Sequence, residues 1–230
     1  MVDGTDIKAW HIASYPRSGN HLVRTLIEYA AQRPTLGCPG AARDTPIHTR
    51  PANQGAGLIK IVSDTPIGLK SHFVGQIQKH GVAHDPKGFV LITRDPVAAI
   101  SSQLGREFSK SYLVTSRRMR RAIEQELDVY LALLYAYRAQ PKQGRFHARF
   151  EELTAAEGSL EAANAVLGAV VPNRAAISGD EWDAIRKIAK SSQVSLSAKE
   201  QSRRNEVRDK LVEIISGHDI QRFIETGDWA

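Results

Sequence analysis

Residues 9 to 30 read AWHIASYPRSGNHLVRTLIEYA, and this stretch constrains the fold more than any other part of the chain. An apolar run ends in the polar turn Tyr15-Pro16-Arg17-Ser18-Gly19-Asn20-His21. Leu22, Val23, Leu26, Ile27 and Ala30 then fall on one stripe of 3.6-residue period. The pattern predicts a strand over Ile7 to Ser14 and a helix over Asn20 to Ala31. A strand that feeds a helix through a short polar turn is the arrangement by which α/β proteins hold phosphates. The turn nevertheless lacks G-x-x-x-x-G-K-[ST].

The rest of the chain repeats the alternation. Short strands are expected at Leu58 to Ser63, at Pro66 to His72 and at Gly88 to Thr93, the last a continuous apolar run of the kind buried in a parallel sheet. Helices are expected at Val97 to Leu104, after Asp95-Pro96, and at Ser116 to Ala139. A strand at Gly144 to Phe150 comes next. Helices at roughly 157–169, 180–191, 200–216 and 218–225 complete the reading. The glycine- and proline-rich segment 34–57 reads as irregular. This order predicts an α/β fold, a mostly parallel central sheet flanked by helices on both faces. No linker divides the chain, so a single domain over 1–230 is expected.

Composition excludes several function classes. With 42% hydrophobic and 24% charged residues the chain is of ordinary globular type. No apolar run approaches the ~18 residues that span a membrane. Met1 to Asp6 has no signal-peptide pattern, and the only cysteine, Cys38, cannot form an internal disulfide. A cytoplasmic location is the expectation. The histidines are scattered without zinc spacing, so no metal is expected. The net charge of +6 fits an anionic ligand or a mildly basic surface. Its densest cluster is Arg117, Arg118, Arg120 and Arg121, which reads as a solvated helix face before it reads as a nucleic-acid surface.

Three segments carry candidate chemistry. In the opening turn, Ser18, Gly19, Asn20 and His21 can present backbone N–H groups at a helix N-terminus, and Arg17 adds a forked cationic donor. In LITRDPVAAISSQ, Arg94 ends a buried strand and Ser102 follows eight residues later, about two helical turns on. In LKSH, Lys70 and His72 alternate along an extended chain, and a histidine beside a cation suits proton abstraction from an alcohol or amine. Each segment taken singly also has an ordinary reading: a plain turn with a surface arginine, an Arg94–Asp95 pair, a structural histidine.

Together, YPRSGNH, LKSH and RDPVAAISS resemble the motifs of the sulfotransferases that use 3′-phosphoadenosine 5′-phosphosulfate (PAPS). The resemblance implies a P-loop-like three-layer sandwich. It implies that Arg17 to His21 hold the 5′-phosphosulfate, with Arg17 where the family has lysine and Asn20-His21 where it favours threonine. It maps the catalytic histidine onto His72 and the accompanying lysine onto Lys70. The 3′-phosphate element, an arginine and a serine, maps onto Arg94 and Ser102 with its spacing intact. RFEEL is similar to the family's Y-E-D-L segment, which places Phe150 near the adenine. SRRNEVRDK offers Arg203 and Arg204 for the family's C-terminal Arg-Lys-Gly loop; the alternative is GDW at 227–229.

The expected function is therefore sulfuryl transfer from PAPS to a hydroxyl or amine, on a small-molecule or glycan acceptor. No metal is expected, because a sulfuryl group carries less negative charge than a γ-phosphoryl. A P-loop small-molecule or nucleotide kinase is the first rival and would need magnesium. A non-enzymatic anion- or nucleic-acid-binding module is the second. Neither the acceptor nor the oligomeric state is legible.

Overall fold

The computed structural model describes residues 9–37, 46, 49, 57–75, 87–111, 113–191 and 196–215. Strand β1 is Trp10–Ser14 and helix α1 is Asn20–Ala31. Strand β2, Thr35–Leu36, precedes β3, Gly68–Ser71, and β4, Gly88–Thr93. Helix α2 is Pro96–Phe108 and α3 is Ser116–Arg138. Strand β5, Arg145–Arg149, runs directly into the short helix α4, Phe150–Thr154. Helices α5, Ser159–Val170, α6, Gly179–Ser191, and α7, Ala198–Ile215, follow.

The five strands lie in the order β2-β3-β1-β4-β5, and every pairing is parallel. Alternation along the strands builds the core on both faces. Trp10, Ile12, Val90 and Ile92 pack with α1, α5 and α6, whereas Ala13, Phe89 and Leu91 pack with α2, α3 and α7. The chain leaves β1 for one side of the sheet and returns to its other side at β4. This reversal opens a crevice at the carboxyl end of β1, where α/β sheets of this type bind ligands. No helix among the described residues is long and apolar enough to cross a membrane.

The structure corrects some boundaries. Leu58 to Ser63 is not a strand: Val62 is 64% exposed, and its N–H bonds Gln32 O instead of a sheet partner. The sheet edge belongs to Thr35, which a buried polar network holds. Arg24 donates to Thr35 Oγ1 and Thr35 O, both at 2.8 Å, and Glu28 accepts from the Thr35 N–H. Hydropathy does not register such a strand, because side chains of α1 fix it. Phe150 opens α4 instead of ending β5. The helix expected at 218–225 lies outside the described residues.

Candidate functional site

The turn after β1 is built from two left-handed residues. Gly19 has φ 86° and Arg17 has φ 67°, a conformation that costs an L-residue roughly 1–2 kcal/mol. Two contacts hold Arg17 there: its Nε donates to Ser102 Oγ at 3.2 Å, and its carbonyl accepts from Arg94 Nη1 at 3.1 Å. Thus α2 and the end of β4 grip the turn. The Ser18 N–H is used inside it, bonding Tyr15 O at 3.3 Å, so it is not among the outward-pointing donors expected from sequence. The first intrahelical bond of α1 runs from Val23 N–H to Gly19 O, and the amides ahead of it face out of the helix end. Ser18 Oγ and Asn20 Oδ1 are buried with no hydrogen-bond partner among the described residues.

Glycine is required at position 19 twice over. Beyond the positive φ, a Cβ there would lie 2.2 Å from Phe150 Cδ2. Gly19→Ala is expected to destabilise the protein by about 1–3 kcal/mol through backbone strain and the displaced ring. Denaturant titration beside Gly158→Ala checks this, since Gly158 shares the positive φ but has open space around it. Equal losses at the two positions would show that Phe150 plays no part.

Phe150 forms one wall of the turn and carries the Arg94 guanidinium over its ring, 4.9 Å from the centroid. Arg204 arrives from α7. A Cβ on Gly105 would sit 2.9 Å from the Arg204 Cα, so α2 and α7 approach as closely as a glycine allows. Arg204 lies close enough to Arg17 and Arg94 to disfavour both cations, and Arg106 acts on Arg17 in the same way. Partial burial is the larger cause for both: it holds each guanidinium below its usual range, and the neighbouring arginines add to this. Four arginines therefore gather at one turn, offset in part by Glu200 near Arg17 and by Glu151 and Asp95 near Arg94, and an anion bound among them would add to this compensation. Arg203 pairs with Glu206 at 2.7 Å. The segment 202–210 is helical throughout, in keeping with the helix expected at 200–216, and GDW at 227–229 lies outside the described residues.

His72 sits just past β3, opposite Ser14 at the end of β1. Its Nδ1 lies 2.8 Å from Ser14 O and 3.4 Å from Ser14 Oγ. A carbonyl can only accept, so the neutral ring carries its proton on Nδ1 and its lone pair on Nε2. Lys70 lies two residues earlier, half-buried in β3 at the level of Ile12. Among the described residues no group of three or more His, Cys, Asp or Glu side chains could hold a metal ion.

The solved structures that this architecture matches include mouse sulfotransferase SULT7A1 complexed with PAP, at a TM-score of 0.54 and 11% identity over 96% of this chain and 88% of that one. The chain has the sulfotransferase fold. A second match is the sulfotransferase domain of the Synechococcus PCC 7002 olefin synthase, at a TM-score of 0.43 and 14% identity over 92% of this chain and 98% of that one. No family-level sequence description matches the chain, and neither does any curated protein sequence.

On this sulfotransferase fold, helix α3 acts as a strut that the sequence reading did not foresee. Tyr130 donates to Arg94 O at 2.7 Å, and Tyr15 donates to Glu126 at 2.6 Å. The strut thus fixes the backbone on both sides of the arginine cluster. Arg106 was equally missed, although its place one turn after Ser102 puts it on the same helix face. Burial, with Glu107 nearby, raises the Glu126 pKa above the ordinary carboxylate value despite the Tyr15 bond. A carboxyl with a raised folded pKa contributes stability below its unfolded pKa and loses it as pH rises through the folded value. Relative to the parent, Glu126→Gln is therefore expected to melt higher at neutral pH than near pH ~4. Melting curves at both pH values check this, and an unchanged difference would remove Glu126 from the pH dependence.

Proposed function

We propose that the chain transfers a sulfuryl group from PAPS to a hydroxyl or amine. The convergence of Arg17, Arg94, Arg204 and Ser102 on a left-handed glycine turn, one strand away from His72, supports this reading above any other observation. The donor's chemistry suits the residues. Buried, unpartnered Ser18 Oγ can donate to an anionic oxygen at the turn, alongside the amides at the start of α1. Arg94, Arg204 and Ser102 offer a second cationic pocket for a 3′-phosphate, and the Phe150 ring offers a face for the adenine. When bound, PAPS supplies an activated sulfuryl group on a phosphate leaving group.

The chain's own residues would then divide the work. His72 Nε2, its ring oriented by Ser14 O, takes the proton of the attacking hydroxyl or amine. Arg17 and the α1 amides stabilise charge on the leaving phosphate, with Lys70 a further candidate. Asn20 and His21 contribute backbone, and Asn20 also ties the turn to β1 through its side-chain bond to Ile12 O at 3.4 Å. Arg203 is assigned no part, because its guanidinium is paired with Glu206.

Thermal shift tests the donor assignment. 3′-Phosphoadenosine 5′-phosphate should stabilise the protein, while AMP, and ATP with magnesium, should do so far less, because only a ligand that binds the native state moves the melting point. Stabilisation by magnesium-ATP alone would instead favour phosphoryl transfer.

A further inference from the structure

Arg94 is held by groups from several parts of the chain. Its Nη1 donates to Arg17 O at 3.1 Å, and its guanidinium lies over the Phe150 ring. The next residue is fixed as well. The Asp95 N–H bonds Glu151 at 2.8 Å, and the Asp95 side chain caps α2 by accepting from the Ala98 N–H at 2.7 Å. The remaining hold is the Tyr130 hydroxyl, which donates to Arg94 O at 2.7 Å. Among the described residues that hold Arg94, Tyr130 alone is buried, at 3% exposure.

Tyr130 also reaches the far end of the contact that Arg94 makes. Its ring packs tilted on Tyr15, with centroids 5.5 Å apart, and Tyr15 stands just before Pro16 and Arg17. Tyr15 in turn donates to Glu126, one helical turn before Tyr130 on α3. A closed circuit results. It runs from Tyr130 to Arg94 O, from Arg94 Nη1 to Arg17 O, back along the chain to Tyr15, and from Tyr15 to the Tyr130 ring. Strand β4 ends at Thr93, so the Arg94 carbonyl lies past the ladder and needs a partner from elsewhere. The phenol supplies it. Burial pushes Tyr130 well above the ordinary tyrosine range, so its hydroxyl keeps its proton and donates at any working pH.

We propose that Tyr130 is a positioning residue for the donor's 3′-phosphate: by holding Arg94 O it aims the Arg94 guanidinium, without touching the ligand itself. This rests on the sulfuryl-transfer reading and deepens it, by naming what sets the preference for a 3′-phosphorylated nucleotide. A guanidinium recognises phosphate through forked, directional bonds, so its worth depends on placement more than that of a point charge. Arg94 lies at the pivot where β4 passes into α2 through Asp95 and Pro96. A peptide plane free to tilt there would tilt the side chain with it. Binding groups keep their geometry when buried neighbours lock them, and at Arg94 the buried neighbour is Tyr130.

The test measures binding of 3′-phosphoadenosine 5′-phosphate and of AMP to the full chain by calorimetry, in the parent, Tyr130→Phe, Arg94→Ala and the double variant. Phenylalanine keeps the ring on Tyr15 and removes only the hydroxyl. Tyr130→Phe is expected to weaken the 3′-phosphorylated nucleotide by about three- to tenfold, what one buried hydrogen bond is worth, and to leave AMP within about twofold. In the Arg94→Ala background the same substitution should cost no further affinity, because nothing is left to position. Tyr137→Phe, on the same helix, is the control for losing a core tyrosine hydroxyl. That hydroxyl makes no hydrogen bond among the described residues, and its loss should leave both nucleotides within about twofold. An unchanged affinity in Tyr130→Phe, equal weakening of both nucleotides, or full additivity with Arg94→Ala overturns the proposal. So does an equal loss from Tyr137→Phe. A parent that binds AMP as tightly as the 3′-phosphorylated nucleotide instead sinks the donor assignment on which the proposal rests.

Discussion

His72→Ala is expected to lower sulfuryl transfer by roughly 10²–10⁴-fold, the usual worth of a positioned general base, while the nucleotide still binds. The expectation follows from the ring's anchoring. Ser14 O fixes the proton on Nδ1, leaving Nε2 as the basic nitrogen at the carboxyl end of β3. Truncation also removes one hydrogen bond from a half-buried site, which costs stability on the order of 1 kcal/mol. That loss cannot by itself stop turnover. The decisive measurement pairs single-turnover rates with the melting shift given by 3′-phosphoadenosine 5′-phosphate. Turnover within a few-fold of the parent would remove His72 from the chemistry. A vanished melting shift would make it a structural residue of the donor pocket instead.

The parallel sheet and most of its helices were legible because their signals are local. The stripe at 20–31 and the apolar run at 88–93 coincide with α1 and β4 to the residue. Strand β2 was not legible, because Thr35 owes its place to Arg24 and Glu28 on a neighbouring helix. Leu58 to Ser63 misled for the converse reason: its apolar residues suggest a strand, but Val62 is exposed and its N–H is taken by Gln32 O instead of a sheet partner. Within the site, Arg17, Ser102 and Arg94 were legible as separate motif members, and the structure brings them into direct contact. Arg204 was legible as a resident of the helix expected at 200–216, and the close approach at Gly105 is what delivers it to the site. Tyr15, Glu126 and Tyr130 escaped notice because their pairings span long stretches of chain that no spacing rule covers.

Arg94→Ala is expected to weaken 3′-phosphoadenosine 5′-phosphate by about 10–150-fold, the equivalent of one charge-assisted contact worth ~1.5–3 kcal/mol. The prediction needs a control, because Arg94 also has a structural duty. Its Nη1 donates to the carbonyl of Arg17, the residue held at φ 67°, and its guanidinium covers Phe150. Losing those contacts would loosen the turn for any nucleotide. The informative quantity is therefore the difference between the 3′-phosphorylated nucleotide and its 3′-dephospho analogue. If Arg94 meets the 3′-phosphate, the loss falls chiefly on the first, and Arg94→Lys restores part of it by returning the charge without the fork. If Arg94 only braces the turn, both nucleotides weaken equally and lysine restores neither. Arg204 sharpens the distinction, since it crowds Arg94 electrostatically from α7. With Arg94 gone, Arg204 still faces the pocket, so part of the discrimination for the 3′-phosphate should survive in Arg94→Ala and fall further in the R94A/R204A double variant.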